Sequence, residues 1–221
     1  MSLQIIKGNI FNSRCQTIVN TINCVGVMGA GIALEFRLRY PEMYQRYVEF
    51  CQQQLIEVGK LWIYKADDKW ILNFPTKKHW KYPSKIEYLE LGLQKFLDTY
   101  ENKKITSVAF PLLGASNGKI ESDTSLKIMK KFLSKSNIPV EIYIYSSQES
   151  DDLYKKFKIA FSSMPIEQIA NTIKLNKTYV IRIKEAISNP DINNFSSLAS
   201  VKGLGLNSLK KAITLIHVFS K

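Results

Sequence analysis

Residues 73–80 read NFPTKKHW, an apolar strand that is expected to end in a proline turn at Pro75, followed by adjacent lysines, Lys77 and Lys78. Each ammonium disfavours charge on its neighbour, and partial desolvation acts in the same direction, which suits one of the pair to work as a nucleophile or base. Lysine pairs are also common on solvated loops, so these residues alone leave both readings open. His79 has no second histidine or carboxylate to complete a metal set and reads as a loop or packing residue. Neither a metal nor a cofactor is expected.

Two glycine-rich turns are the other chemical feature. Residues 20–33, NTINCVGVMGAGIA, run from the end of an apolar segment through Gly26, Gly29 and Gly31 into a helix. Glycines there are expected to take positive φ and let the backbone approach a ligand, while free N–H groups and the positive helix end attract anions. Residues 114–118, Gly114-Ala115-Ser116-Asn117-Gly118, follow the apolar VAFPLL and precede another helix. Ligands of open α/β sheets bind beyond the carboxyl ends of strands, so the two turns are suited to hold a diphosphate between them. Neither turn matches GxGxxG or GxxxxGK[ST], and either alone is also an ordinary strand-to-helix connection.

The elements that must position these groups follow from apolar periodicity. Strands are expected at 3–6, 17–20, 61–64, 70–74, 107–111 and 140–145, with helices at 31–39, 41–54, 84–100 and 122–133. Their alternation predicts an α/β layered domain over residues 1–150 with a parallel or mixed sheet. The polar run SSQESDD, a boundary near residue 160 and a change of character after Met164-Pro165 set apart a small, mainly helical region at 165–221.

Composition narrows the partners. Lys+Arg 31 against Asp+Glu 19 gives a formal net charge of +12, which favours polyanions, although a dispersed basic surface also serves solubility. Three cysteines without CxxC spacing argue against a disulfide framework or a zinc site. With no apolar run long enough to span a bilayer and no signal-peptide pattern, no membrane association is expected and the reading is cytoplasmic.

Taken together, GNI at residues 8–10, NTINCVGVMGAGIALEF at 20–36, NFPTKKHW at 73–80 with SKIE at 84–87, and PLLG at 111–114 resemble macrodomains of the DarG type, DNA ADP-ribosyl glycohydrolases that are antitoxins to DarT toxins. The resemblance covers residues 1–147. It implies a three-layer α/β/α sandwich with a mixed sheet and ADP-ribose in a cleft above it. It further implies Asn9 and Ile10 near the adenine, with Asn9 where many macrodomains carry aspartate, and Tyr145 stacking on that base. By the same resemblance Asn20 and Asn23 approach the distal ribose, and Val27, Met28, Gly29, Ala30, Gly31 and Ile32 wrap the diphosphate with Gly114, Ala115, Ser116, Asn117 and Gly118. Lys77 matches the catalytic lysine, with Thr76 beside it in the ligand-binding set. The implied substrate is ADP-ribosylated DNA, thymidine in single strands, and the implied partner is a DarT-like toxin.

The second turn departs from the family's GCGNGG-type run. Ala115 and Ser116 stand for cysteine and glycine, and Gly118 occupies the approximate place of an acid used by a related glycohydrolase. Glu121 and Asp123 nearby read first as helix-start residues favoured by the macrodipole. In the tail, residues 195–213 look like a helix-hairpin-helix, with Lys202, Gly203, Gly205, Lys210 and Lys211 as a DNA-phosphate contact. A helix pair packing on the first domain fits the same residues. A non-catalytic ADP-ribose reader and an antitoxin acting by direct toxin binding remain the alternatives to an enzyme.

Overall fold

The computed structural model describes residues 2–146, 149 and 151–219. The chain divides into two compact units, Met1–Ser146 and Ser147–Lys221.

The first unit is built on six strands: β1 (Leu3–Gly8), β2 (Thr17–Asn23), β3 (Trp62–Lys65), β4 (Trp70–Lys77), β5 (Val108–Pro111) and β6 (Val140–Tyr145). They form one sheet in the order β1-β6-β5-β2-β4-β3. Every pairing is parallel except that of edge strand β3 with β4. Helices α1 (Gly31–Arg39), α2 (Pro41–Gln52), α3 (Ile86–Thr99) and α4 (Ser122–Leu133) connect them.

Successive strand residues face opposite sides of a sheet, and here both sides are covered, so the central strands are apolar without alternation. Ile18, Ile71 and Ala109 join Phe36 of α1 and Met43 and Tyr47 of α2 in one core. Their chain neighbours Val19, Leu72 and Phe110 enter the opposite core with Leu89, Leu93 and Phe96 of α3 and Met129 and Leu133 of α4. Two helical layers therefore sandwich the sheet, which makes the unit a three-layer α/β/α sandwich with a mixed sheet.

Two strands run further than their apolar patterns suggest. β2 continues to Asn23 and β4 to Lys77, so Pro75 lies within a strand rather than in the turn expected there. Its missing N–H is tolerated because β3 pairs with β4 only as far as Asn73, leaving one neighbour beyond that point. The ladder between β2 and β4 also shifts register at Ile22/Asn23, bringing Asn23 opposite Lys77.

The second unit contains α5 (Asp152–Ser163), α6 (Ile166–Ile173), α7 (Lys177–Ser188), α8 (Phe195–Ala199) and α9 (Leu206–Phe219). Asp151, Asn176 and Asn194 cap the starts of α5, α7 and α8 with their side chains. The expected start at 165 is corrected here, since α5 belongs to this unit. The spacing of Tyr154, Phe157 and Phe161 gives α5 a buried stripe, and ring centroids of 4.5 Å for Phe157–Phe161 and 5.2 Å for Phe157–Phe195 make it part of the helical core. Of the polar run at 146–152, residues 147, 148 and 150 lie outside the described residues.

Candidate functional site

Three adjacent parallel strands, β5, β2 and β4, run in the same direction, and the loop or strand end at the carboxyl side of each delivers one part of a cleft; β5 stops level with Asn20, while β2 and β4 run on to Asn23 and Lys77. The loop after β2 is tethered from beneath. Asn23 Oδ1 accepts from the N–H groups of Val25 (3.0 Å) and Val27 (3.3 Å), and the Tyr47 hydroxyl donates to the Asn23 carbonyl at 2.7 Å. Met28 is fully buried, and its carbonyl accepts from Arg37 at 3.3 Å. Asn23 and Met28 thus hold the loop, while Val27, Gly29 and Ala30 form its exposed crest. Gly26 and Gly31 take φ of +79° and +56°. Gly29 does not take positive φ, contrary to expectation, and a Cβ there would meet only Val27 at an ordinary 3.9 Å.

The loop after β5 comes to meet the first. A Cβ on Gly31 would lie 2.8 Å from Asn117 Nδ2, so the two turns approach each other with no room for a side chain. Gly114 takes φ +67°, and so, unusually for residues with a Cβ, do Ser116 at +51° and Lys119 at +63°. Ser125 Oγ donates to the Leu113 carbonyl at 2.6 Å and the Ser84 N–H to the Gly118 carbonyl at 2.9 Å, which over-determine this strained segment. Ser116→Gly is expected to relieve the strain and raise the melting temperature by about 2 °C, measured by thermal denaturation. At Gly118 a Cβ would sit 2.7 Å from Ser84 Oγ, so the position that holds an acid in the related enzyme cannot take one here unless Ser84 moves.

Lys77 closes the cleft from the β4 side. Its Nζ donates to the Asn117 carbonyl, linking the strand end to the second loop. Burial, and then the positive charge of Lys119, hold its pKa below the ordinary lysine value. Cys24 ties the first loop to the same strand: its N–H donates to the Lys78 carbonyl at 3.2 Å and its thiol to the Lys77 carbonyl at 3.3 Å. Burial pushes the Cys24 pKa up to about 11, so it stays a protonated prop.

Beneath the cleft, Asn20 Nδ2 donates to Asn73 Oδ1 at 2.9 Å, and both side chains are fully buried. Asn73 and Ser84 begin the motifs NFPTKKHW and SKIE but carry no expected role from the sequence; a lone asparagine inside WILNF was the available signal for the former. Thr76 is also buried, in β4 just before Lys77. At the other end, Asn9 caps a short 3-10 turn through the Phe11 N–H, with Ile10 buried beside it. Tyr145 stands across from Gly8 in the ladder and is 58% exposed, an aromatic face presented at the strand ends rather than packed inside.

In the second unit, a short turn at 200–205 joins α8 to α9. Gly203 takes φ +83°, and its carbonyl accepts from Arg182 at 3.0 Å. Lys211 Nζ donates to the Lys174 carbonyl at 3.0 Å, so it serves the end of α6, whereas Lys202, Gly205 and Lys210 lie on the exposed surface. Among the described residues no group of three or more His, Cys, Asp or Glu is arranged to hold a metal, and no helix is long and apolar enough to cross a membrane.

Comparison with known proteins identifies this architecture. The Macro domain family matches residues 19–129, half of the chain. The chain belongs to the macrodomain family. As a macrodomain it is 41% identical over 120 residues to a protein of Thermus aquaticus described as a DNA ADP-ribosyl glycohydrolase, covering 52% of this chain and 33% of that one. The macrodomain of Mycobacterium tuberculosis DarG superposes with a TM-score of 0.62 at 37% identity, over 66% of this chain and 99% of that domain. Thermosipho africanus DarTG in complex with ADP-ribose gives a TM-score of 0.62 at 35% identity, over 65% of this macrodomain chain and 41% of the other. The chain spans only 33–40% of the length of the curated relatives described as DNA ADP-ribosyl glycohydrolases in Thermus and Mycobacterium.

Proposed function

We propose that this macrodomain removes ADP-ribose from DNA bases, thymidine in single-stranded DNA being the substrate favoured, and that it acts as the antitoxin of a DarT-like toxin. The observation that carries the reading is Lys77, a partly desolvated amine at the junction of the two loops. The Thermus and Mycobacterium relatives described as DNA ADP-ribosyl glycohydrolases support it, as does the ADP-ribose complex of the Thermosipho protein. In this reading the crests of the two loops hold the diphosphate, Tyr145 stacks on adenine beside Asn9 and Ile10, and the distal ribose lies over Asn20 towards Lys77.

The chemistry follows from the anomeric carbon. When the ribose ring opens, C1″ takes on aldehyde-like character that a neutral amine attacks. Ring opening breaks the C1″–O4″ bond and leaves a solvent proton on O4″; the Lys77 Nζ–C1″ bond then forms, a proton passes from Nζ to the base nitrogen as its bond to C1″ breaks, and water hydrolyses the Schiff base to lysine and ADP-ribose, whose ring recloses through O4″. Polarisation of the scissile bond by Lys77 without an adduct gives the same products. The test is incubation with an ADP-ribosylated oligonucleotide: the proposal requires free ADP-ribose to appear, and protection of the modification identifies a reader instead. The reader reading draws its support from the second loop, where Ser116 and Lys119 hold conformations that glycine adopts freely. In the second unit, the exposed Lys202 in the turn between α8 and α9 and Lys210 in α9 are suited to add phosphate contacts to DNA.

A further inference from the structure

Immediately after Lys77 the chain makes a turn whose side chains take no part in the cleft described above. Trp80 is 48% exposed and Tyr82 67% exposed, two large aromatics at the surface within three residues. They are not splayed at random. The rings of His79 and Trp80 stack at 5.7 Å with 26° between planes, and Tyr82 leans against His79 at 5.6 Å. Lys81 N–H donates to His79 Nδ1 at 3.2 Å and Tyr82 N–H to the His79 carbonyl at 3.2 Å, which fixes the histidine ring as the hub of the group. The turn is anchored at both ends, by Lys77 in β4 and by the Ser84 N–H on the Gly118 carbonyl.

Along the turn itself the charge has one sign, while Glu57, from the loop before β3, lies near Lys78. Lys77, Lys78, Lys81 and Lys85 fall within nine residues, and no acid occurs from Asn73 to Ile86. Lys81 lies 5.3 Å from the Trp80 ring, and Lys78 and Lys85 flank Tyr88 at 5.9 and 5.7 Å. Glu87, the first acid beyond, pairs with Lys85 at 3.8 Å, both being exposed. An acidic protein surface would answer the charge but has no use for bare aromatic planes. Single-stranded nucleic acid answers both, because bases present π-faces and the backbone between them carries the negative charge.

We propose that His79, Trp80 and Tyr82 form a stacking platform for nucleobases of the DNA strand adjoining the modified nucleotide, with Lys78, Lys81 and Lys85 on its phosphates. This rests on the proposed action on ADP-ribosylated DNA and deepens it, since it selects single strands: a duplex keeps its π-faces covered by neighbouring bases. An unmodified strand is therefore expected to bind as well.

The test uses the full chain and an unmodified, fluorescently labelled oligothymidine, read by anisotropy, with calorimetry of free ADP-ribose in parallel. Trp80→Ala and Tyr82→Ala are each expected to weaken strand binding about tenfold. Trp80→Phe is expected to keep most of the affinity, the duplex of the same sequence to bind more weakly than the strand, and ADP-ribose affinity to change less than about twofold. Strand affinity unchanged in both alanine variants overturns the platform, and so does a loss seen only in Lys81→Ala and Lys85→Ala. An acidic protein bound in a Trp80-dependent way with no strand binding overturns it in favour of a protein partner. The glycohydrolase reading fails separately: Trp80-dependent strand binding without release of ADP-ribose keeps the platform and removes the enzyme.

Discussion

Lys77→Ala is expected to slow release of ADP-ribose from modified single-stranded DNA by about a thousandfold while leaving affinity for free ADP-ribose within about threefold. The asymmetry follows from the geometry. In the proposed reading the nucleotide is held by the backbone turns after β2 and β5, neither of which needs the lysine side chain for its fold, although the amine's bond to the Asn117 carbonyl is lost. Single-turnover release from an ADP-ribosylated oligonucleotide and calorimetry with ADP-ribose separate the two quantities. Release at the normal rate would remove Lys77 from the chemistry. The pH profile carries a second signature. Only the free amine attacks, so the rate rises with pH up to the lowered pKa of Lys77. Lys119→Gln removes the like charge, raises that pKa and moves the rising limb to higher pH; burial, the larger cause, keeps part of the shift in place.

Gly92→Ala is expected to destabilise the first unit by about 3 kcal/mol, at the upper end of overpacking costs. Gly92 lies in α3 directly over Phe74 of β4, and a Cβ there would sit 2.2 Å from the ring's Cζ and 2.4 Å from Cε1. Phe74 is fully buried and meets Phe110 edge-on at 6.5 Å, so the ring has nowhere to turn. Helix propensity favours alanine by about 1 kcal/mol, which offsets part of the cost without reversing it. Urea unfolding gives the measure: a midpoint equal to that of the parent protein would show that α3 can lift from β4 freely. Since β4 also carries Thr76 and Lys77, the surviving folded fraction is expected to lose activity as well.

The layered fold was legible because burial on both faces of a parallel sheet leaves a plain signature: apolar runs of strand length, separated by helical periods. All six strands and the first four helices occur where those runs predict them, with ends displaced by a few residues. Lys77 and the two turns were legible through residue type and motif. What local pattern concealed was set by partners distant in the chain. Pro75 read as a turn because its acceptability depends on where β3 stops, and Gly29 read as a positive-φ residue because glycine permits that conformation without requiring it. Ser84 stood inside a motif, SKIE, but nothing there showed its role, since its relation to Gly118 exists only after the second loop folds. α5 was passed over because its basic residues mask the apolar stripe of Tyr154, Phe157 and Phe161, whose value appears only against Phe195.

The adjacency of β5, β2 and β4 has one more consequence. Neighbouring strands in any sheet lie about 4.8 Å apart, so the three strands that lead to the two turns and the amine space them sideways on a ruler about 10 Å wide, graduated by the backbone ladders of β2 with β5 and with β4. Mutational drift can repaint the marks but cannot move them. Whatever molecule settles there is gauged by length first and by chemistry second.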